Sequence, residues 1–211
     1  MQVTGSNRDK NRSTRLSIRI PNGQSLHRDT LSVDEEVKNI DLTIEGTGVL
    51  SFPAELSEGL VFESMFAIVG VILSEDEKIA MANTEGTIGF ALRLSAEVTE
   101  QISEWRARGL EVSLHTPLEG VVVRAIVGSR RPKTAVLRIE EGVVYVAISV
   151  ERKICFAEAL PISGEEQVVN LLAHLNQDFE LVKAHFVLLG ESSEQYYKTI
   201  KKYFRRVRCE K

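Results

Sequence analysis

The stretch that decides the fold is residues 134–160, which read TAVLRIEEGVVYVAISVERKICFAEAL. Two short polar breaks, at residues 140–142 and 151–152, divide it into three apolar runs rich in β-branched side chains. Such runs, bounded by turn residues, predict three consecutive strands over 134–139, 143–150 and 153–160. The segment therefore predicts a meander of strands in the second half of the chain.

The residues after this meander predict a helix, a strand and another helix. A capping sequence at residues 163–166 opens the first helix. A short apolar strand follows at 185–189, and the last helix then has Tyr196, Ile200 and Tyr203 as its predicted inner face. Helical crossovers between strands require at least part of the sheet to be parallel. The order in this half is strand, strand, strand, helix, strand, helix.

The first half of the chain predicts a less regular set of elements. Alternation of polar and apolar residues at 15–20 indicates a half-buried strand, and Asn22-Gly23 after it predicts a hairpin turn with a return strand at 25–28. The other predicted elements are strands at 39–44, 48–52, 78–83, 87–93 and 110–115, a helical turn at 53–57, and helices at 59–70 (buried), 96–108 and 116–126. A linker is predicted at 128–132.

Composition and charge exclude several classes of protein. The 211 residues are 43% hydrophobic and 27% charged, which is ordinary for a globular chain. Residues 1–20 sum to +4 and residues 198–211 to +6, so the body between them carries −14 within a net charge of −4. An acidic body with basic ends is not typical of a DNA-binding protein. Two cysteines and no apolar run of membrane-spanning length lead us to expect a cytoplasmic protein.

Several segments of the chain resemble an uncharacterised bacterial family with an actin-like ATPase fold. Its relatives include the cell-division actin homologue and the actin-like protein of type IV pilus assembly. The resemblance predicts an α/β fold, with α+β segregation, of two ribonuclease-H-like lobes whose mixed sheets carry crossover helices. Polar residues without periodicity predict a disordered lead-in at 1–13, and the resemblance predicts an N-terminal lobe at 14–129 and a C-terminal lobe at 130–211. The segments that carry it are residues 16–20, 52–56, 116–120, 144–150, 160–162, the helix from Glu165, 187–191 and 202–205.

Nucleotide-hydrolysing members of that superfamily place an Asp-x-Gly turn in a hairpin of each lobe. The glycines let backbone amides approach phosphate, and the aspartates position the metal and water. In this chain the first aspartate position falls on Arg19 or Pro21, and the second on Arg138. Glutamates stand where glycines are expected, and they would repel phosphate. The resemblance implies these degenerate cleft residues: Asn22, Gly23, Arg138, Glu140, Glu141, Gly142, Gly190 and Glu191.

These substitutions favour a non-catalytic scaffold or protein-interaction module over an enzyme. No catalytic residue, metal ligand set or cofactor is expected, because the four histidines have no metal-ligand spacing and no Walker or dinucleotide motif occurs. The partner would be another protein or a second copy of the chain. One alternative is a nucleotide-binding switch with an altered cleft. A weaker alternative is nucleic-acid binding through the basic C-terminal helix, whose exposed cations would be Lys198, Lys201, Lys202 and Arg205.

Overall fold

A computed structural model gives the fold of the chain as two compact units, Met1–Thr116 (unit 1) and Pro117–Lys211 (unit 2). The sequence analysis assigned residues 117–127 to the first lobe, whereas here they begin unit 2. The residues described are 3–4, 14–20, 33, 36–58, 61–82, 86–127 and 131–210.

Unit 1 contains two sheets. In the first, β2, β3 and β7 are parallel neighbours and β1 pairs antiparallel with β2; the second is an antiparallel sheet in the order β4-β6-β5. The predicted turn at Asn22-Gly23 and the return strand at 25–28 lie outside the described residues. The predicted lead-in, 1–13, includes the short strand β1. The strands and helices of unit 1 are β1 (Val3–Thr4), β2 (Thr14–Ile20), β3 (Val37–Ile44), β4 (Val49–Pro53), α1 (Phe62–Ile68), β5 (Lys78–Met81), β6 (Ile88–Leu94), α2 (Ala96–Ala107) and β7 (Glu111–His115).

Helix α2 follows its sequence pattern. Ser95 caps it by accepting a hydrogen bond from the Val98 backbone N–H at 3.3 Å. Val98, Ile102 and Trp105 are buried on one face, as their spacing predicted. The inward stripe therefore holds α2 on unit 1.

Helix α1 differs from its prediction. The sequence predicted a buried helix over 59–70, but α1 is shorter and only its Phe66 is buried. Phe66 packs with Phe52 and Ala91 of the three-stranded sheet, in a core of three buried residues. One small sheet can cover only one side of a helix, so Phe62 and Met65 are only partly buried against this core and Ile68 stays on the surface.

Unit 2 is built on one five-stranded sheet in the order β10-β9-β8-β11-β12. The meander β8-β9-β10 is antiparallel, while β11 lies parallel to both β8 and β12. The predicted order of strands and helices is confirmed, with the addition of β12. The elements are α3 (Pro117–Val127), β8 (Lys133–Glu140), β9 (Val143–Val150), β10 (Lys153–Pro161), α4 (Glu165–Phe179), β11 (His185–Leu189), α5 (Ser193–Tyr203) and β12 (Val207–Cys209).

Alternation along the central strands gives the sheet of unit 2 two buried faces. Leu137 and Ile139 of β8 belong to a core shared with α4 and α5. Helix α3 packs on the same sheet, and Ser149 Oγ of β9 donates to the Ala125 carbonyl at 2.7 Å. Covering both faces explains why β9 reads as a nearly continuous apolar run in the sequence.

Three details of the C-terminal half differ from the sequence analysis. Gly164 is the N-cap of α4, and the capping contact comes from the Ser163 N–H, which donates to Gln167 Oε1 at 2.7 Å. Tyr203 was predicted on the inner face of α5 but is 60% exposed, and Phe204 is buried in its place. Helix α5 ends before Phe204, whose extended backbone turns its ring toward Phe186 at 4.4 Å between centroids.

The pairing of Arg124 with Glu210 ties α3 to the end of β12. Arg124 Nε donates to Glu210 Oε2 at 2.6 Å, a second bond joins the same groups, and Arg208 lies 2.9 Å from Glu210. The hydrogen bonds from Arg124 lower the pKa of Glu210.

We expect Arg124→Ala and Glu210→Gln each to reduce the free energy of unfolding of unit 2 by about 1 kcal/mol. A folded carboxylate with a lowered pKa contributes its stability above the unfolded pKa and loses it as pH falls through the folded value. The deficit of each variant should therefore be full at neutral pH and vanish in acid. Urea unfolding across the acid range measures it, and a deficit that does not change with pH would contradict the assignment.

Candidate functional site

The candidate residues of unit 2 meet at the carboxyl ends of two parallel strands. Leu189 of β11 pairs in register with Arg138 of β8, so the residues after Leu189 lie beside the end of β8. This end of a parallel pair is where α/β folds most often bind ligands. The fold therefore brings together Arg138, Glu140, Glu141, Gly142, Gly190 and Glu191.

An ion pair occupies this end of the sheet. Arg138 Nε donates to Glu140 Oε1 at 2.7 Å, and the side chains are 31% and 24% exposed. Both residues stand on the same side of β8 because side chains alternate along a strand. The guanidinium at the predicted aspartate position is thus neutralised by the glutamate two residues further on.

Position 190 requires a glycine because of its backbone conformation and the atoms packed against it. Its φ is +92°, and a Cβ placed on it would lie 2.7 Å from the Ile139 carbonyl oxygen. The same Cβ would lie 3.5 Å from Glu140 Oε1, so the carboxylate of the ion pair rests against this glycine. Gly142 also has a positive φ, +76°, but open space lies where its Cβ would be.

The charges at this site oppose an anion. Glu140 is paired with Arg138, while Glu141 and Glu191 are exposed. Two unit charges 4 Å apart interact by about 4 kcal/mol at the effective dielectric constant near a protein surface. Three carboxylates therefore stand against one guanidinium at this strand end, whereas phosphate oxygens are bound by amide or cationic donors.

Unit 1 has a similar pair of charges at the end of its first long strand. Arg19 of β2 forms an ion pair with Glu45, whose backbone N–H donates to the Ile20 carbonyl at 3.0 Å. The sequence analysis noted Arg19 at an aspartate position but did not identify Glu45 as its partner. The parallel pairing of Ile20 with Ile44 brings Glu45 close to Arg19, and no local sequence pattern predicts that pairing. Candidates Asn22 and Gly23 lie outside the described residues.

Another polar cluster covers part of the first sheet of unit 1. Arg15 donates to Asp41 Oδ1 at 2.7 Å, and His115 Nε2 lies 3.8 Å from the same oxygen. Register explains the cluster, because Asp41 on β3 stands between β2 and β7 on the polar face of the sheet. These contacts link three parallel strands and favour a structural interpretation of His115.

The described residues contain no group of three or more His, Cys, Asp or Glu side chains arranged to hold a metal ion. In the same part of the chain, none of the helices has the length and apolar character needed to cross a membrane.

Comparison with solved structures identifies the fold. A Bacteroides thetaiotaomicron protein with an actin-like ATPase fold and unknown function matches with a TM-score of 0.67, over 82% of this chain and 69% of that one, at 12% identity. The PilM–PilN type IV pilus biogenesis complex gives a TM-score of 0.47 over 82% and 69% of the chains, at 12% identity. The cytoplasmic domain of EpsL, an inner-membrane component of the Vibrio cholerae type II secretion system, gives 0.38 over 83% and 81%, at 11% identity.

No protein-family model matches the chain, and no curated protein matches it in sequence. At 12% identity a structural likeness carries the fold and not the activity. The match at a TM-score of 0.67 agrees with the topology of unit 2 and with the α/β class that the sequence predicted. The chain therefore has the actin-like ATPase fold.

Proposed function

We propose that this protein is a non-catalytic scaffold or protein-interaction module built on the actin-like fold and acting in the cytoplasm. The observation that carries the proposal is the ion pair of Arg138 with Glu140, whose carboxylate rests against Gly190. In a nucleotide-hydrolysing member of the fold, the resemblance implies that phosphate and its metal would use these positions.

Electrostatics explain why the ion pair disfavours a nucleotide. A bound phosphate would have to displace Glu140 from Arg138, or else lie beside a carboxylate. Breaking a partly buried pair leaves its charges unpaired, which is costly. Glu141 and Glu191 add negative charge nearby, so the whole strand end repels the ligand.

Unit 1 supports the same proposal independently. Arg19 also occupies a position where the resemblance implies an aspartate, and it is neutralised by Glu45. A guanidinium held by a glutamate is not free to coordinate a metal, and arginine has no acceptor for one. Each unit therefore has the strands of the fold, but a paired arginine stands at the strand end where the resemblance implies an aspartate.

Calorimetric titration with ATP and ADP in the presence of magnesium tests the proposal. We expect no saturable heat up to ligand concentrations of about 1 mM, because the strand end offers carboxylates to the phosphates. Saturable binding to the natural protein would contradict the proposal and favour a nucleotide-dependent switch. A coupled phosphate-release assay on the same samples should stay at the background rate.

Matched variants show whether the ion pair is responsible. Glu140→Gln keeps the size of the side chain and removes its charge, and Glu140→Gln/Glu141→Gln removes two charges. We expect both to fold and to bind nucleotide more readily than the natural protein. Glu151→Gln, at an exposed position in the turn between β9 and β10 at the opposite end of the sheet, is the control and should change nothing. If the control and the double variant give the same heats, the ion pair is not what excludes the nucleotide.

A further inference from the structure

One surface of unit 1 is both apolar and acidic. Val61, Ile68, Val69 and Ile72 are 60%, 83%, 55% and 86% exposed. They belong to α1 and the residues around it, where Phe66 is buried in the small core and Phe62, Met65 and Val71 pack partly against it. Single exposed apolar residues are normal, but a group of them within one short segment indicates a binding surface. We call this group the apolar face of α1.

Negative charge surrounds the apolar face of α1. Residues 54–77 contain six carboxylates and no lysine, arginine or histidine. Glu77 is used internally, since it lies 3.3 Å from Arg93 and accepts a hydrogen bond from the Ser74 N–H at 2.9 Å. The exposed carboxylates are Glu55, Glu58, Glu63, Glu75 and Asp76. A partner for this face should therefore carry apolar groups among positive charges.

The C-terminal end of unit 2 has that opposite character. Residues 198–208 contain six lysines and arginines and no carboxylate, and all six are exposed. Lys198, Lys201 and Lys202 lie at helical spacing on one side of α5, which the sequence analysis expected to face outward. Tyr203, the last residue of α5 and the chain neighbour of Lys202, is 60% exposed and adds an aromatic ring beside these lysines. We call Lys198, Lys201, Lys202, Tyr203 and Arg205 the basic face of α5.

Part of this charge is compensated, since Arg208 lies 2.9 Å from Glu210 and Lys202 interacts electrostatically with Glu165. Lys201 contacts the Tyr197 ring at 4.9 Å, and Arg206 lies 3.4 Å from His185 Nε2 rather than beside a carboxylate. Burial and then the positive charges of Arg131, Arg206 and Arg208 lower the pKa of His185. The inner side of α5 is already committed to the core through Tyr196 and Ile200. The basic side is therefore the side of α5 left for an external partner.

We propose that the apolar face of α1 on one copy of the chain binds the basic face of α5 on a second copy. This inference rests on the proposed function and names the partner of the module. The two faces carry opposite charge of similar size, and each includes exposed apolar or aromatic side chains that association would bury. Because each contact joins two different patches, a copy bound through one face keeps its other face for a further copy unless the assembly closes.

Sedimentation velocity of the purified full chain over a range of concentrations measures the association. Species larger than a monomer should grow with concentration, and raising the salt from about 0.05 M to about 0.5 M should weaken association at least tenfold. Treatment with nuclease should leave the species unchanged. A monomer at every concentration in low salt overturns the proposal, and so does loss of the larger species on nuclease treatment.

Two variants that each remove one face give the sharpest test. Ile68→Glu/Ile72→Glu destroys the apolar face of α1, and Lys198→Glu/Lys202→Glu reverses the basic face of α5. Each alone should be monomeric. When the two are mixed, the intact α5 of the first can bind the intact α1 face of the second, so a one-to-one dimer should form and grow no further. Val182→Glu, at a 58% exposed position elsewhere on unit 2, is the matched control and should associate like the natural chain.

Circular dichroism of each variant shows whether its faces were removed without unfolding. A variant that fails to fold is replaced by the milder Ile72→Ser or Lys202→Gln. The association constant of the milder variant should lie between that of the natural chain and that of a chain without the face. A mixture that stays monomeric, or single variants that still associate, overturns the pairing of these faces. Neither result affects the nucleotide titration. Conversely, saturable binding of magnesium ATP to a chain that associates through these faces without nucleotide would overturn the proposed function while leaving the pairing of the faces intact.

Discussion

Gly190→Ala should reduce the free energy of unfolding of unit 2 by about 3–4 kcal/mol, which is a large loss for a chain of ordinary stability. Two causes act together. An alanine at φ +92° is strained, and its Cβ would meet the Ile139 carbonyl oxygen at 2.7 Å. Backbone cannot move aside as a flexible side chain can, so β8 and β11 would have to separate at this end of their pairing.

Gly142→Ala is the matched control for that result. Gly142 shares the positive φ, +76°, but nothing lies within 4 Å of the added Cβ. We expect it to cost only about 1 kcal/mol, the strain of the backbone alone. Urea unfolding followed by circular dichroism compares the two variants. Equal losses would show that close packing against β8 is not what requires Gly190.

The contrast between these glycines marks how far sequence reasoning can reach. Both were predicted as candidate cleft residues, because the resemblance implies glycines at or beside these positions. Only the structure shows that the role of Gly190 depends on a carbonyl some fifty residues earlier in the chain. Such a contact is set by the register of two parallel strands, and nothing in either strand alone encodes it.

The fold was largely predictable where pattern and burial agree. The meander at 134–160 was predicted almost to the residue, because two polar breaks separate three apolar runs. The inward stripe of α2 was equally clear, since Val98, Ile102 and Trp105 repeat at helical spacing. In these segments the local pattern predicts the same residues to be buried as the tertiary structure buries. The sequence alone was therefore enough to predict them.

The sequence analysis was wrong where tertiary contacts override local pattern. The helical pattern of α5 predicted Tyr203 inside, yet the helix ends there and Phe204 enters the core instead. Strand β12 was missed because three residues are too few for a periodic signal, and its pairing with β11 comes from across the chain. An apolar run predicted α1 as buried, but apolarity alone does not distinguish a core helix from one that offers a surface.

The candidate site shows the same division. Its residue types were evident from the resemblance, because glutamates and arginines stand where glycines and aspartates are implied. Their pairing was not, since the sequence does not tell whether Arg138 reaches Glu140 or points to solvent. The 2.7 Å contact shows that Arg138 and Glu140 pair with each other at the end of β8.

Phe66→Ala should release α1 from unit 1, at a cost of about 3–4 kcal/mol to local stability. Phe66 is fully buried and is the one residue of the helix in the three-residue core with Phe52 and Ala91. An isolated helix of this length is not stable in water, so its structure depends on packing against the sheet, where Phe66 is the buried anchor and Phe62 and Met65 pack partly beside it. Hydrogen exchange of residues 62–68 should accelerate by about two to three orders of magnitude, while the amides of β8 and β9 keep their protection.

Ile68→Ala separates anchoring from binding on the same helix. Its side chain is 83% exposed, so its removal should leave the free energy of unfolding within about 0.5 kcal/mol of the natural value. Both substitutions should weaken self-association, but for different reasons. Phe66→Ala dismantles the helix that carries the apolar face, whereas Ile68→Ala removes only a contact. If Ile68→Ala lowered stability as much as Phe66→Ala, the exposed side chains of α1 would belong to the fold of unit 1 and not to a surface that binds a second copy.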